Sequence, residues 1–268
     1  MSAARRLVLA AAALVAVAIA AAPAHADRRL AVKRKRDLPI VIVGGVAFGL
    51  ADSVGKDALS PARCRWCSTD ALDRAVRDGL RWSSADTPNT LSNLTAYVAA
   101  PVASFGLVAL LASTQDRGDE VIDDGIAIAE ATVAALGFDY LVKIGVARER
   151  PGVHYATVKP DSAENNLSFY SGHSTLAMTL AVSAGTVATL RGYRHARLVW
   201  AVGVPVAVAT GYLRIAADKH WATDVLTGWA MGAAFGVGVP WLLSEPTAPV
   251  PTIGRSGEST TVGVAGVW

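Results

Sequence analysis

Charge is scarce in this chain: 18% of its 268 residues are Asp, Glu, Lys or Arg, and the net charge is only +3. The basic residues sit in short clusters beside apolar segments, not along one face, which argues against a nucleic-acid partner. Cysteine is scarcer still, with Cys64 and Cys67 alone in the sequence. Two thiols lack the further ligands a zinc site needs, and no βαβ pattern surrounds them as a thioredoxin-like pair would require. No internal repeat is evident. What the chain has instead is apolar residues, 52% of the total, and a mean hydropathy of +0.37. That is too apolar for an ordinary soluble enzyme and points to membrane contact.

Residues 1–26 read as a secretory signal peptide. Arg5 and Arg6 precede the apolar run Leu7 to Ala22, and Ala24-His25-Ala26 fits the small-x-small cleavage rule, so that Asp27 begins the mature chain. An uncleaved membrane anchor is the other reading. In an exported chain Cys64 and Cys67 are expected to form a local disulfide. Residues 27–90 form an exported N-terminal segment that opens with a basic stretch over 28–36. The apolar run Leu38–Ala51 that follows is short for a bilayer span, which needs about 20 residues. It is expected to be a re-entrant, interfacial or packed helix that does not cross, or, if the leader is not a signal, to cross with the same result for the motifs. Residues 52–90 read as loop-rich, with one short amphipathic helix carrying Leu72, Val76 and Leu80 between Arg74, Arg77 and Arg81. That helix is expected to lie on the membrane surface or to cover the site.

Long apolar helices are predicted at Leu91–Ala112, Val121–Val142, Ser174–Leu190, Leu198–Ala217 and Val225–Leu243. The fold class is therefore all-α, a membrane-embedded bundle of about five or six long apolar helices over 91–243. The acidic residues Asp123, Asp124 and Glu130 imply that the second of these helices is shielded by neighbours or spans from a later point. Gly228-x3-Gly232-x3-Gly236 predicts close packing of the last helix. Residues 244–268, rich in Pro, Thr, Ser and Gly, read as a flexible tail with a short hairpin over 250–268 and Ser256-Gly257-Glu258 as its turn. Asn93-Leu94-Thr95 and Asn166-Leu167-Ser168 match the glycosylation sequon, a short and weak pattern.

The loop with Arg191, Arg194, His195 and Arg197 is cytoplasmic by the positive-inside rule. Counting helices outward from it brings three motifs to the exported side: Lys143-x6-Arg150-Pro151, Ser171-Gly172-His173 and Arg214-x5-His220-x3-Asp224. The basic stretch 28–36 resists this scheme, since the same rule would hold it inside. The three motifs suit phosphoryl transfer, in which catalysis is mostly positioning and charge stabilisation. Lys143, Arg150 and Arg214 supply the cations, with arginine's planar fork suited to bidentate phosphate contact. Ser171 and Gly172 precede a helix whose N-terminus can bind phosphate oxygens, with the Ser171 hydroxyl as a further donor. His220 and Asp224, four apart, share a helix face, so Asp224 can fix the ring tautomer and leave the other nitrogen to attack phosphorus. His173 is then available to protonate the leaving oxygen and later to activate water. Taken singly, each residue has a plainer reading: a structural histidine, a snorkelling arginine, a helix cap, or an interfacial basic cluster of Lys143, Arg148 and Arg150.

The order and spacing of these residues resemble the type 2 phosphatidic acid phosphatase and vanadium haloperoxidase superfamily. Its pattern is Lys-x6-Arg-Pro, Pro-Ser-Gly-His and Ser-Arg-x5-His-x3-Asp. The resemblance covers 143–224 directly, and the helical order extends it to about 91–243. It implies a metal-independent phosphatase without cofactor, with His220 as nucleophile, Asp224 as its partner and His173 as acid. It also implies phosphate binding by Lys143, Arg150, Ser171, Gly172 and Arg214. The expected partners are a membrane and a phosphorylated lipid, and the expected location is a bacterial envelope with the site on the exported side. Two positions depart from the pattern, Tyr170 before Ser171 and Leu213 before Arg214. A soluble exported acid phosphatase and a haloperoxidase whose His220 ligates vanadate use the same residues. A non-catalytic membrane protein that binds or transports phospholipid is the reading from outside enzymology. His154 is expected in an exposed loop, and Trp221 at the pocket wall or the membrane interface.

Overall fold

The structure, a computed structural model, describes residues 28–159, 162–247, 250–256 and 259–265. The signal segment 1–26 and the turn residues Gly257 and Glu258 lie outside the described residues. A short strand β1 (Arg28–Leu30) leads into α1 (Arg34–Ser53), then come the short helices α2 (Gly55–Leu59) and α3 (Ala71–Leu80). Helix α4 (Asp86–Ser113) contains two π-helical turns, Thr95–Ala99 and Val102–Gly106. Next are α5 (Val121–Val146), the single turn α6 (Pro151–His154), α7 (Gly172–Leu190), α8 (Ala196–Ala216) and α9 (Ala222–Leu242). Strand β2 (Ser244–Pro246) pairs antiparallel with β1, and β3 (Val250–Ser256) with β4 (Ser259–Ala265). The all-α bundle is thus the fold observed, and among the described residues four helices, at Asp86–Ser113, Gly118–Val146, Ala196–Ala216 and Ala222–Leu242, are long and apolar enough to cross a membrane.

Helix α7 is the axis. Nearly every residue from Ser174 to Leu190 is buried, enclosed by α4, α5, α8 and α9. Its hydroxyls are satisfied within the helix: Thr175 donates to Ser171 O at 2.9 Å, Thr179 to Thr175 O at 2.7 Å and Thr186 to Val182 O at 2.7 Å. Helix α9 lies against it along the glycine stripe. A Cβ at Gly228 would stand 2.8 Å from Ser171 O, and one at Gly232 2.8 Å from Thr175 O. No side chain fits there, so the stripe sets the distance between the two helices.

The polar end of the bundle explains the acidic residues of α5. Asp123 and Asp124 belong to its first turn, not to its middle. Arg34 donates to Asp123 at 2.5 Å, while Arg191 and Tyr193 hold Asp124 at 2.7 and 2.6 Å. Glu130, further along α5, keeps one carboxylate oxygen buried without a hydrogen-bond partner among the described residues. The same contacts orient α1. It starts beside the first turn of α5 and ends where Tyr140 donates to Ala51 O at 2.7 Å. The 14-residue apolar run is the middle of a 20-residue helix, about 30 Å long. Arg34, Lys35 and Arg36 join it because Asp37 accepts from the Lys33 N–H at 2.7 Å and caps its start. Ile42, Val43, Val46 and Leu50 remain exposed on its outer side.

Residues 52–90 are more helical than the loop-rich reading. Asp70 caps α3 by accepting from the Asp73 N–H at 2.8 Å. The face it buries is not the expected apolar one: Val76 is buried, but Leu72 is exposed, and Asp73 and Arg77 turn inward. The reason is ionic. Arg77 makes a bidentate pair with Asp218 at 2.6 and 2.7 Å, and Asp73 meets Arg148. Cys64 and Cys67 form a disulfide with their Cα atoms 5.5 Å apart.

Candidate active site

A pocket of about 180 Å³ opens at the end of the bundle opposite Arg34 and Arg191, where α5 and α8 end and α7 begins. Six of the eight residues singled out from the motifs line it: Lys143, Arg150, Gly172, His173, Arg214 and His220. Ser171 and Asp224 stand behind the wall.

The cations come from three elements. Lys143, in the last turn of α5, reaches Asp139 one turn earlier at 2.6 Å. Arg150, just before α6, donates to Glu164 O at 2.8 Å and approaches its carboxylate at 3.1 Å. Arg214, near the end of α8, is held by Asn89 at 3.1 Å and Ser92 at 3.2 Å, both from the first turns of α4, and its buried Nε has no partner. Gly172 opens α7 and leaves room for the lysine, since a Cβ there would stand 2.7 Å from Lys143 Nζ. The N–H groups of the first turn of α7 have no intrahelical acceptor and carry the positive end of its dipole.

The histidines are oriented by neighbours that chain order alone does not indicate. His220 Nδ1 lies 2.9 Å from the Ser168 carbonyl. A carbonyl only accepts, so Nδ1 bears the proton and Nε2 keeps its lone pair. Asp224 does not make the expected bond to the ring: its carboxylate is 3.7 Å from Nδ1. Its oxygens are taken by Arg148 at 2.6 Å, the Ser168 hydroxyl at 2.6 Å and the Trp221 N–H at 2.9 Å. Asp224 therefore fixes the segment that holds His220, and Ser168 is the direct partner. His173 Nε2 meets Asn93 Oδ1 at 2.8 Å, and its ring packs edge-on against Tyr97 at 4.9 Å. Burial and then the charges of Arg150, Arg214 and Lys143 push the His220 pKa well below the ordinary histidine value.

Ser171, expected to donate to phosphate, is fully buried. Its N–H donates to Asp224 O at 3.1 Å and its hydroxyl accepts from Ser174 at 2.8 Å. Tyr170 and Leu213, the two departures from the motif pattern, are buried side chains. Trp221 lies behind His220 and donates to Glu149 O at 2.8 Å, so it walls neither the pocket nor an interface. His154 pairs with Glu149 at 2.8 Å and meets the rings of Tyr155 and Trp221 edge-on.

Several residues of the site escape the motif reading. Arg148, fully buried, ties Asp224 to Asp73 and Thr223, and Trp66 of the disulfide loop covers its guanidinium at 3.9 Å. Asn93 and Ser168, visible in the sequence only as sequon positions, hold the two histidines. Asp52, Lys56, Asp139 and Glu164 line the pocket beside the motif cations. Arg150, with Lys56, holds the Glu164 carboxyl well below the usual carboxylate range against the effect of its burial. Three of the four pocket cations thus carry a carboxylate of the chain itself, and Arg214 is held by neutral groups. Among the described residues no three His, Cys, Asp or Glu side chains gather into a metal-binding group.

Residues 124–247 match the family model of the PAP2 superfamily. An undecaprenyl-diphosphatase of Sulfolobus acidocaldarius is 29% identical over 113 residues, which is 41% of this chain and 50% of that protein. The chain thus spans about half the length of this curated relative. No solved structure matches.

Proposed function

We propose that this chain, whose residues 124–247 match the PAP2 superfamily, is a membrane phosphatase that removes a phosphate from a lipid monoester or diphosphate by way of a phosphohistidine. The observation that carries the reading is the His220–Ser168 contact at 2.9 Å, which leaves Nε2 unprotonated in a pocket lined by Lys143, Arg150 and Arg214. Nε2 attacks phosphorus in line while the bond to the leaving oxygen breaks. The three cations and the first turn of α7 hold the charge that spreads over the equatorial oxygens. His173 gives the leaving oxygen its proton, then takes one from water. The hydroxide formed attacks the phosphohistidine, the P–N bond breaks, and inorganic phosphate leaves. No step requires a metal. The similarity to the Sulfolobus undecaprenyl-diphosphatase supports a lipid diphosphate as substrate class.

The topology we propose puts Arg34, Arg36, Arg117 and Arg191 in the cytoplasm and the pocket on the exported side of a bacterial envelope. Helix α1 then crosses in parallel with α5, which keeps residues 28–36 inside and answers the conflict over that basic stretch. A leader cleaved after Ala26 would start the mature chain outside and is incompatible with this crossing. Labelling of a single cysteine placed at position 33 in intact cells, against one placed at position 158, decides between the two.

The test of function is phosphate release by the purified protein in detergent with chelator present. The panel holds phosphatidate, isoprenyl diphosphate and lipid A phosphates, with His220→Ala beside the wild type. Turnover lost in His220→Ala, with phosphohistidine trapped in the wild type by acid quench, is the expected result. Release that persists in His220→Ala overturns it, and halide oxidation with added vanadate and peroxide would assign the pocket to haloperoxidase chemistry instead.

A further inference from the structure

The fourth cation of the pocket has no part in the mechanism above. Lys56 comes from α2, well outside the segment 124–247 that matches the superfamily. Its ammonium sits 2.9 Å from Asp52 and 2.9 Å from Glu164 Oε1, while Glu164 Oε2 is 3.1 Å from Arg150. One carboxylate therefore bridges Lys56 and Arg150, each cation on a separate oxygen. Such a bridge marks a place where two donors converge on an oxyanion.

We propose that Lys56, together with Arg150, which it shares with the phosphoryl group at His220, forms a subsite for the inner phosphate of a lipid diphosphate, and that Glu164 fills this subsite in the free protein. The proposal rests on the phosphatase reading and names the substrate class within it. The outer phosphorus lies at His220. Attack by Nε2 breaks the bridging P–O bond, the inner phosphate leaves as the lipid monophosphate, and His173 protonates its oxygen. Water then releases inorganic phosphate from His220. Lys56 and Arg150 stabilise charge on the leaving phosphate, which a monoester substrate lacks. The Glu164 side chain is 41% exposed and sits on the turn Ala163–Asn166, so it can turn out to solvent when the second phosphate arrives.

The experiment compares farnesyl diphosphate with farnesyl monophosphate in detergent and reads the ratio of their kcat/KM values. Lys56→Met should lower that ratio about tenfold or more, the loss of one charge-assisted contact, and Lys56→Arg should keep it within about threefold. Glu164→Gln should lower KM for the diphosphate relative to the monophosphate. A ratio unchanged in Lys56→Met, with both substrates declining in parallel, makes Lys56 structural and overturns the subsite. Wild-type protein that turns over neither substrate nor any lipid of the wider panel overturns the phosphatase reading, and calorimetry then tests the subsite without turnover. Inorganic pyrophosphate should bind more tightly than phosphate, and Lys56→Met should remove the difference. Equal loss for both anions, or no loss, refutes it.

Discussion

Replacing Arg148 with methionine should expose how much of the site hangs on one buried guanidinium. The side chain is fully buried and contacts Asp73 at 2.5 Å, Asp224 at 2.6 Å and Thr223 at 2.7 Å. Methionine fills much of its volume but leaves two buried carboxylates facing one another with no cation between them. Breaking a buried pair in this way costs about 3–5 kcal/mol, most of it from the uncompensated charge left behind. For a domain of this size that is roughly 10 °C or more in Tm. The added substitution Asp73→Asn removes one of the two stranded charges and should recover a good part of the loss. The coupling between the two positions is then read from a double-mutant cycle. Arg148 does not line the pocket, so kcat should fall, as Asp224 and the Ser168 segment lose their anchor, while KM changes little. Thermal unfolding in detergent and steady-state kinetics on the same samples give both numbers. A Tm loss below about 2 °C, or a double variant no more stable than Arg148→Met alone, would refute the account of Arg148 as the clamp on Asp224.

Because burial and the pocket cations hold the His220 pKa down, protonation should not reduce kcat/KM as pH falls from 7 through the ordinary histidine value of 6.5, and the acid limb should lie below it. Arg150→Gln removes one of those cations and should move the limb upward, which a pH–rate profile shows even at reduced activity. Within α9, Gly228→Ala drives a methyl onto Ser171 O and should lower both Tm and activity. Gly238→Ala, with nothing within 4 Å, should gain about 0.5–1 kcal/mol from helix propensity; equal effects on Tm would contradict the close approach of α7 and α9. Asn93→Leu frees the His173 ring and should lower kcat about tenfold, less than the loss from His173→Ala; no change in kcat would remove Asn93 from the site.

The motif residues were legible because their chemistry is rare in an apolar chain: cations and histidines at fixed spacing stand out between helices of Ala, Val and Leu. The helices were legible for the same reason, and the structure shifts their ends by a few residues. What the sequence hid are the partners. Asn93 and Ser168 are small polar residues that look like solvent-facing positions until the fold brings them to His173 and His220. Arg148 resembles a member of a surface cluster, and only its burial under Trp66 shows its role. Asp224, four residues from His220, suggests a direct contact on helical geometry alone. Two of the three donors that occupy its oxygens, Arg148 and Ser168, come from elsewhere in the chain, and periodicity carries no record of them. The 20-residue extent of α1 was hidden by its charged first turn, whose cations find Asp123 and Asp37 only in the folded bundle.

The enclosure of α7 has a consequence for biogenesis. Helices that face lipid must be greasy enough to leave the translocon by themselves, but one wrapped on every side by protein is released from that requirement and fills its interior with Ser and Thr. The same composition makes α7 a weak insertion signal while it is being synthesised. It should therefore settle in the bilayer only once α8 and α9 have emerged to shelter it, which makes the pocket, built on its first turn, among the last parts of the molecule to form.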